Sequence, residues 1–209
     1  MKPAPFTYHD PTTADEAVAL LATHEDAKIL AGGQSLMPML NMRFVVPDDV
    51  IDLNRIDGIA GIRDAGESIE IGAMTRQRDL MRDDVIATKA PIIPAALHWV
   101  GHFQTRNRGT IGGSVALADP AAEMPACILA LGATLVVQGS AGKREIPAEE
   151  FFHGLYETAR AENELLVQIR IPSQKADKVS VFLELARRHG DFAIAGIAAY
   201  GSVSGDTVN

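Results

Sequence analysis

AGGQSLMPML, residues 31–40, sets two glycines, a glutamine and a serine between a short apolar strand and a segment rich in methionine and leucine. Gly32 and Gly33 give the backbone access to φ > 0 and remove two side chains. Such a pair permits close approach either of another stretch of the chain or of a ligand. Gly112-Gly113, in RNRGTIGGSVALADP (106–120), raises the same alternatives.

The charges favour a ligand. Residues 27–47 and 85–118 contain no Asp or Glu, although 27 acids spread evenly over 209 residues would place about seven in those 55 positions. The two windows carry Lys28, Arg43, Lys89, Arg106 and Arg108, in a chain of net charge −8. Acid-free glycine loops suit a diphosphate, because successive backbone N–H groups form an anion-binding nest and a following helix adds its positive end. Ser35, Thr110 and Ser114 offer hydroxyl donors. Neither loop is a Walker motif or a G-x-G-x-x-G fingerprint, and plain turns remain the other reading.

The same net charge argues against bulk nucleic-acid or anionic-membrane binding. Cys127 is the single cysteine, so this chain alone makes no disulfide and ligates no iron–sulfur cluster. MKPAPFTYHD has no apolar core of a secretory signal, and no charge-free apolar run reaches about 18 residues. A cytoplasmic protein is expected.

Along the chain, Thr13 and Glu16 have capping-box spacing before a helix with an apolar stripe at Ala17, Val18, Leu20 and Leu21. AKILAGG reads as a strand ending at the glycines, SLMPMLNMRF as a short helix with Pro38 in its first turn, and DDVIDLN as a second strand. Residues 1–54 form a first lobe. A second lobe, 55–177, holds the strand ESIEIGAMT and helices punctuated by Pro91 and Pro94. It continues through the second glycine loop, a helix closed by Gly132, the hairpin TLVVQG–KREIP and the strand ELLVQIRIP. From 178 to 209 the chain reads as strands joined by tight turns, ending in a hairpin at SGD, so a C-terminal portion is expected to be missing.

AGGQSLMPMLNMR and RNRGTIGGSVALADPAAEMPA, followed in order by LGA, ELLVQIRIP and RRHGDFAIAG, resemble the FAD-binding medium subunit of molybdenum hydroxylases, the xanthine dehydrogenase and carbon monoxide dehydrogenase family. The resemblance spans essentially the whole chain. It implies an α+β, two-lobed FAD-binding fold of the PCMH (vanillyl-alcohol oxidase-like) type, followed by the start of a truncated C-terminal α+β domain. It also implies FAD held between the lobes by Ala31, Gly32, Gly33, Gln34 and Ser35 and by Thr110, Ile111, Gly112, Gly113 and Ser114. Asp119 would be a polar contact, Leu166 an apolar one, and Phe192 an aromatic beside the isoalloxazine ring. The implied partners are a molybdopterin-binding large subunit and a 2Fe–2S small subunit, with FAD relaying electrons to an external acceptor. A self-contained flavin oxidase or dehydrogenase, and a noncatalytic nucleotide-binding module, are the alternatives.

Other candidates are weaker. His98 and His102 are spaced i, i+4 but lack a third ligand. Met37, Met39 and Met42 read as gap-filling core. Asp119 and Glu123 are four apart, and Glu123 at a helix start reads as electrostatic stabilisation rather than acid/base chemistry. His189 lies in a turn, Arg187 and Arg188 read as solvated or partner-facing, and no nucleophile motif appears. No catalytic acid, base or nucleophile is expected.

Overall fold

The computed structural model describes residues 1–204 and 207–208. β1 (Thr7–His9) leads to α1 (Ala14–Thr23), whose N-cap is the expected capping box: Thr13 accepts from the Glu16 amide while the Glu16 carboxylate accepts from the Thr13 amide. β2 (Lys28–Leu30), α2 (Leu36–Asn41) and β3 (Asp49–Asp52) complete a three-stranded parallel sheet of order β1-β3-β2.

A five-stranded antiparallel sheet follows. β4 (Ile62–Asp64) and β5 (Ser68–Gly72) precede six short helices: α3 (Gln77–Leu80), α4 (Asp84–Lys89), α5 (Ile92–Leu97), α6 (Phe103–Arg108), α7 (Ile111–Leu117) and α8 (Glu123–Ala130). β6 (Thr134–Gly139) and β7 (Gly142–Pro147) form the expected hairpin. A turn of helix, α9 (Ala148–Phe151), and a small ribbon of β8 (Phe152–Gly154) and β9 (Glu157–Thr158) lead to β10 (Leu165–Pro172). β10 enters the middle of the sheet, giving the order β4-β5-β10-β6-β7. β11 (Lys178–Ala186), β12 (Ala193–Ser204) and β13 (Thr207–Val208) make a third, antiparallel sheet. The expected turn at SGD includes Gly205 and Asp206, which lie outside the described residues.

Both faces of the sheet are covered at β6 and the start of β10, where TLVVQG and LLV read as apolar runs, whereas β5 and the rest of β10 alternate. Leu135, Val137, Ile69 and Ile71 face α5, α7 and α8 in the larger core. Val136, Leu165 and Val167 face α1 in the smaller one. β10 serves both cores through the alternation of Leu165, Leu166 and Val167, and its register with β6 shifts between Leu166 and Gln168. That irregularity lets Leu166, Ile169 and Ile171 share the larger core despite their odd spacing. Across this sheet, Gln138 Nε2 donates to Asp15 Oδ1 at 2.6 Å and ties α1 down.

Three local expectations change. The second glycine motif is not an open loop: Gly112 and Gly113 occupy the first turn of α7, with Thr110 as N-cap. His98 ends α5 and His102 caps α6, so the two share no helix. Of the α2 segment only Leu40 is buried, and Met42 is 67% exposed, so the methionines are not core.

Ile169 is fully buried where β10 meets both β5 and β6. Ile169→Ala is expected to cost about 2–5 kcal/mol, read as a lowered midpoint in chemical denaturation.

Candidate functional site

A cleft of about 1310 Å³ runs between the first parallel sheet, α7 and the tip of the β11–β12 hairpin. It is lined by Ala31, Gly32, Gly33, Gln34 and Ser35 on one side and by Thr110, Gly112, Gly113 and Ser114 on the other. Asp119, Leu166 and Phe192 line it too. Ile111 does not: its side chain is fully buried in the larger core.

Within each pair the two glycines have different jobs. Gly32 and Gly112 are buried, and a Cβ on either would strike backbone or Ala73. At Gly32 it would lie 2.4 Å from the Arg108 carbonyl oxygen, and at Gly112 2.5 Å from the Ala73 Cβ. Gly33 and Gly113 are only half-buried, and Gly33 stands at φ +73°, the left-handed region that favours glycine. The first glycine of each pair therefore lets chain approach chain, whereas a Cβ on the second would meet side chains, Met37 Cγ at 3.1 Å for Gly33 and Thr110 Oγ1 at 2.8 Å for Gly113. All four line the cleft.

The contact between the two motifs is braced. Asn54 donates from Nδ2 to the Ala31 carbonyl at 3.0 Å. Arg76 donates to the Asn54 Oδ1 and to the Arg108 carbonyl. One guanidinium thus clamps the end of β2 to the end of α6, and burial, with Arg108 nearby, holds its pKa below the usual value.

The two motifs differ as hydrogen-bond donors. The amides of Ile111 and Gly112 donate to the Thr75 and Ala73 carbonyls, Gly113 to Thr110 Oγ1, and Ser114 to the Thr110 carbonyl. Among the described residues, the amides of Gly32, Gly33, Gln34 and Ser35 have no protein acceptor, and the Ser35 and Ser114 hydroxyls have no protein partner. The free amides that an anion-binding nest requires are thus confined to the first motif among the described residues. The second provides a smooth helical surface and hydroxyls.

The basic residues of the acid-free windows are mostly structural. Only Lys28 lines the cleft. Lys89 pairs with Asp64 at 2.6 Å, Arg106 donates to the carbonyls of Val100 and Gly101, and Arg43 to that of Lys2. The cleft as a whole is not free of acid: Glu25, Asp119, Glu123, Glu162 and Asp191 line it from outside the two windows.

Several lining residues carried no sequence signal. Gln77 Oε1 and Arg160 Nε are buried without a partner, and both residues line the cleft. Arg160 otherwise donates to the carbonyls of Ala161 and Glu164, at 2.8 and 2.7 Å. Each sits in an unremarkable sequence context, and only tertiary burial sets it apart. Glu123 opens α8 as expected, but burial rather than the helix end governs it, pushing its pKa up to about 7 with help from Glu184 and Asp119. Asp119 accepts from the Ala121 amide at 2.9 Å and raises the pKa of Tyr156 beside it.

The hairpin tip closes one end. Gly190, at φ +85°, packs so tightly that a Cβ would lie 2.8 Å from His102 Cε1. His189 packs on His98 and Trp99, with ring centroids 5.1 and 5.9 Å away. Arg188 pairs with Asp191, whereas Arg187 and the 76%-exposed Phe192 line the cleft. No helix among the described residues is long and apolar enough to cross a membrane.

Residues 4–174 match the family described as the FAD binding domain in molybdopterin dehydrogenase. The chain is 42% identical to the carbon monoxide dehydrogenase medium chain of Hydrogenophaga pseudoflava, aligning over 100% of this chain and 73% of the relative. It is 43% identical to the 6-hydroxypseudooxynicotine dehydrogenase complex subunit alpha of Paenarthrobacter nicotinovorans, over 95% of this chain and 68% of that one. The solved carbon monoxide dehydrogenase from Hydrogenophaga pseudoflava that lacks the Mo-pyranopterin moiety superposes with a TM-score of 0.97 at 44% identity, covering 100% of this chain and 73% of that one.

The raised pKa of Glu123 sets a pH dependence. Between its ordinary 4.5 and about 7 the folded chain keeps a proton that the unfolded chain has lost, so stability falls as pH rises through that window. Melting temperatures of the flavin-free chain across this range are expected to show that decline in the wild type and a flatter profile in Glu123→Gln.

Proposed function

The chain belongs to the family of FAD-binding domains of molybdopterin dehydrogenases, and from that premise we propose that it is the FAD-carrying electron-transfer subunit of a molybdenum hydroxylase. The observation that carries the binding mode is the run of free amides from Gly32 to Ser35, in a cleft-lining segment that itself carries no Asp or Glu. Those donors fit a diphosphate, and the unpaired Gln77 Oε1 and Arg160 Nε add an acceptor and a donor for a polar ligand.

Bound FAD supplies the redox chemistry, taking electrons delivered by iron–sulfur clusters and yielding them to an external acceptor. The chain's residues bind and orient it. The Gly32–Ser35 amides and the hydroxyls of Ser35 and Ser114 hold the diphosphate, with Lys28 and Arg160 offsetting its charge. Gly33 and Gly113 keep the walls low enough for close approach, and Ile111 supports that wall from behind. Thr110 caps α7, Asp119 provides a polar contact, and Leu166 and Phe192 provide apolar surfaces for the rings. In this reading residues 1–54 and 55–177 are the two flavin-binding lobes, and 178–209 begin a further domain.

The same proposal assigns the chain a molybdopterin-binding large subunit and a 2Fe–2S small subunit as partners, in the cytoplasm. Its own cysteine cannot serve as a cluster ligand set, being single, buried and held as a thiol by a pKa pushed up to about 12. The family match supports this reading over a self-contained flavin oxidase.

Two outcomes test the proposal. Gly33→Val is expected to weaken FAD binding at least tenfold, about 1.4 kcal/mol, in fluorescence-quenching titrations. Gly32→Ala is expected instead to lower the melting temperature, because its added Cβ meets the Arg108 carbonyl. Near-normal FAD affinity in Gly33→Val would remove the cleft-facing role. The purified, flavin-loaded chain is also expected to accept electrons from artificial reductants without oxidising carbon monoxide, purines, aldehydes or N-heteroaromatics. Unaided turnover of any of these would overturn the subunit assignment.

A further inference from the structure

His9, His24 and Asp49 converge from three elements on the N-terminal unit. His9 ends β1, His24 caps the C-terminus of α1, and Asp49 opens β3. His9 Nε2 lies 2.6 Å from Asp49 Oδ1, and His24 Nδ1 lies 3.1 Å from Asp49 Oδ2. The two imidazole rings stand 4.9 Å apart and are tilted by 49°. One ligand atom from each residue falls within 4.8 Å of the other two.

The sheet explains the geometry. In the parallel β1–β3 ladder Thr7 pairs with Asp49 and His9 with Ile51, so His9 and Asp49 lie on one face, two residues out of register. Tyr8, on the opposite face, bonds Asp52 instead, at 2.6 Å. Where α1 ends, His24 is brought over the same face.

We infer that His9, His24 and Asp49 form a binding site for a divalent transition metal ion of the zinc class. Two imidazole nitrogens and one carboxylate suit zinc and its neighbours, whereas calcium and magnesium demand oxygen donors throughout. Ligand atoms around a tetrahedral zinc at about 2.0–2.2 Å stand roughly 3.3–3.6 Å apart, so the 2.6 Å His9–Asp49 contact would open by about 1 Å to admit the ion, with all three ligand atoms already within 4.8 Å of one another. Asp49 has no lysine or arginine partner among the described ion pairs, so its carboxylate oxygens face only the two imidazoles. The side chains are 20, 32 and 14% exposed, which gives the ion a way in and leaves a coordination position for water.

An ion here bonds β1, β3 and α1 to one centre. Because the site would not exist in the unfolded chain, the metal would stabilise the lobe that carries the Gly32–Ser35 amides. The site does not depend on the electron-transfer role.

Equilibrium dialysis of the purified protein against micromolar zinc chloride, followed by elemental analysis, tests the site, with melting temperatures taken with and without zinc. The wild type is expected to take up one more zinc per chain than His24→Gln or Asp49→Asn, and to melt higher when zinc is present. Losing a ligand should weaken binding by more than the roughly 10–100-fold that loss of an outer-shell partner costs. His9→Gln replaces either variant if it fails to fold. No zinc uptake by the wild type, or equal uptake by wild type and variants, overturns the proposal.

Discussion

The approach of Gly32 to the backbone at Arg108 and Gly109 is the contact on which the rest of the structure depends. No side chain larger than hydrogen fits there, since a Cβ would also lie 2.7 Å from the Gly109 Cα. The contact brings the end of the small parallel sheet against the helical layer over the large antiparallel one. Asn54 and Arg76 then fix the spacing through three carbonyl or amide oxygens. The cleft walls are therefore positioned by the protein itself. A ligand entering between them meets donors already in place, which reduces the ordering that binding would otherwise require.

Much of this was legible in the sequence where a local rule governs local structure. The Thr13–Glu16 box, the Gly132 helix end and the TLVVQG–KREIP hairpin depend on residues only a few positions apart, and they formed as read. The TIGGS segment misled because adjacent glycines resemble a loop, yet the Thr110 cap and tertiary acceptors hold them in a helical turn. The spacing of His98 and His102 assumed a continuous helix that Gly101, at φ +44°, interrupts. The methionines looked like core because an apolar side chain carries no mark of whether it lines an interior or a cleft, as Met39 does.

Long-range features were the least readable. Gln77, Arg160 and the His9–His24–Asp49 cluster are assembled from distant positions, and none has a distinctive sequence neighbourhood. Acid depletion pointed to the two chain segments that line the cleft, although Glu25, Asp119, Glu123, Glu162 and Asp191 line it too. It did not show which cation or amide is free to bind. That distinction needs the hydrogen-bond inventory, in which four amides of one motif are free and four of the other are used.

The register shift in β10 reaches beyond packing. Before it, Leu165 faces the α1 core and Leu166 the helical core; after it, Ile169 and Ile171 again face the helices. The strand thus works as a reading frame shared by both cores, and one unpaired residue keeps the frame correct on each side. Losing or gaining a single residue there would turn every later side chain to the wrong layer at once. The Val167 carbonyl also accepts from the Ala73 amide, and the Ala73 carbonyl from Gly112. A slip in this one strand would therefore be transmitted through two peptide groups to the wall of the cleft.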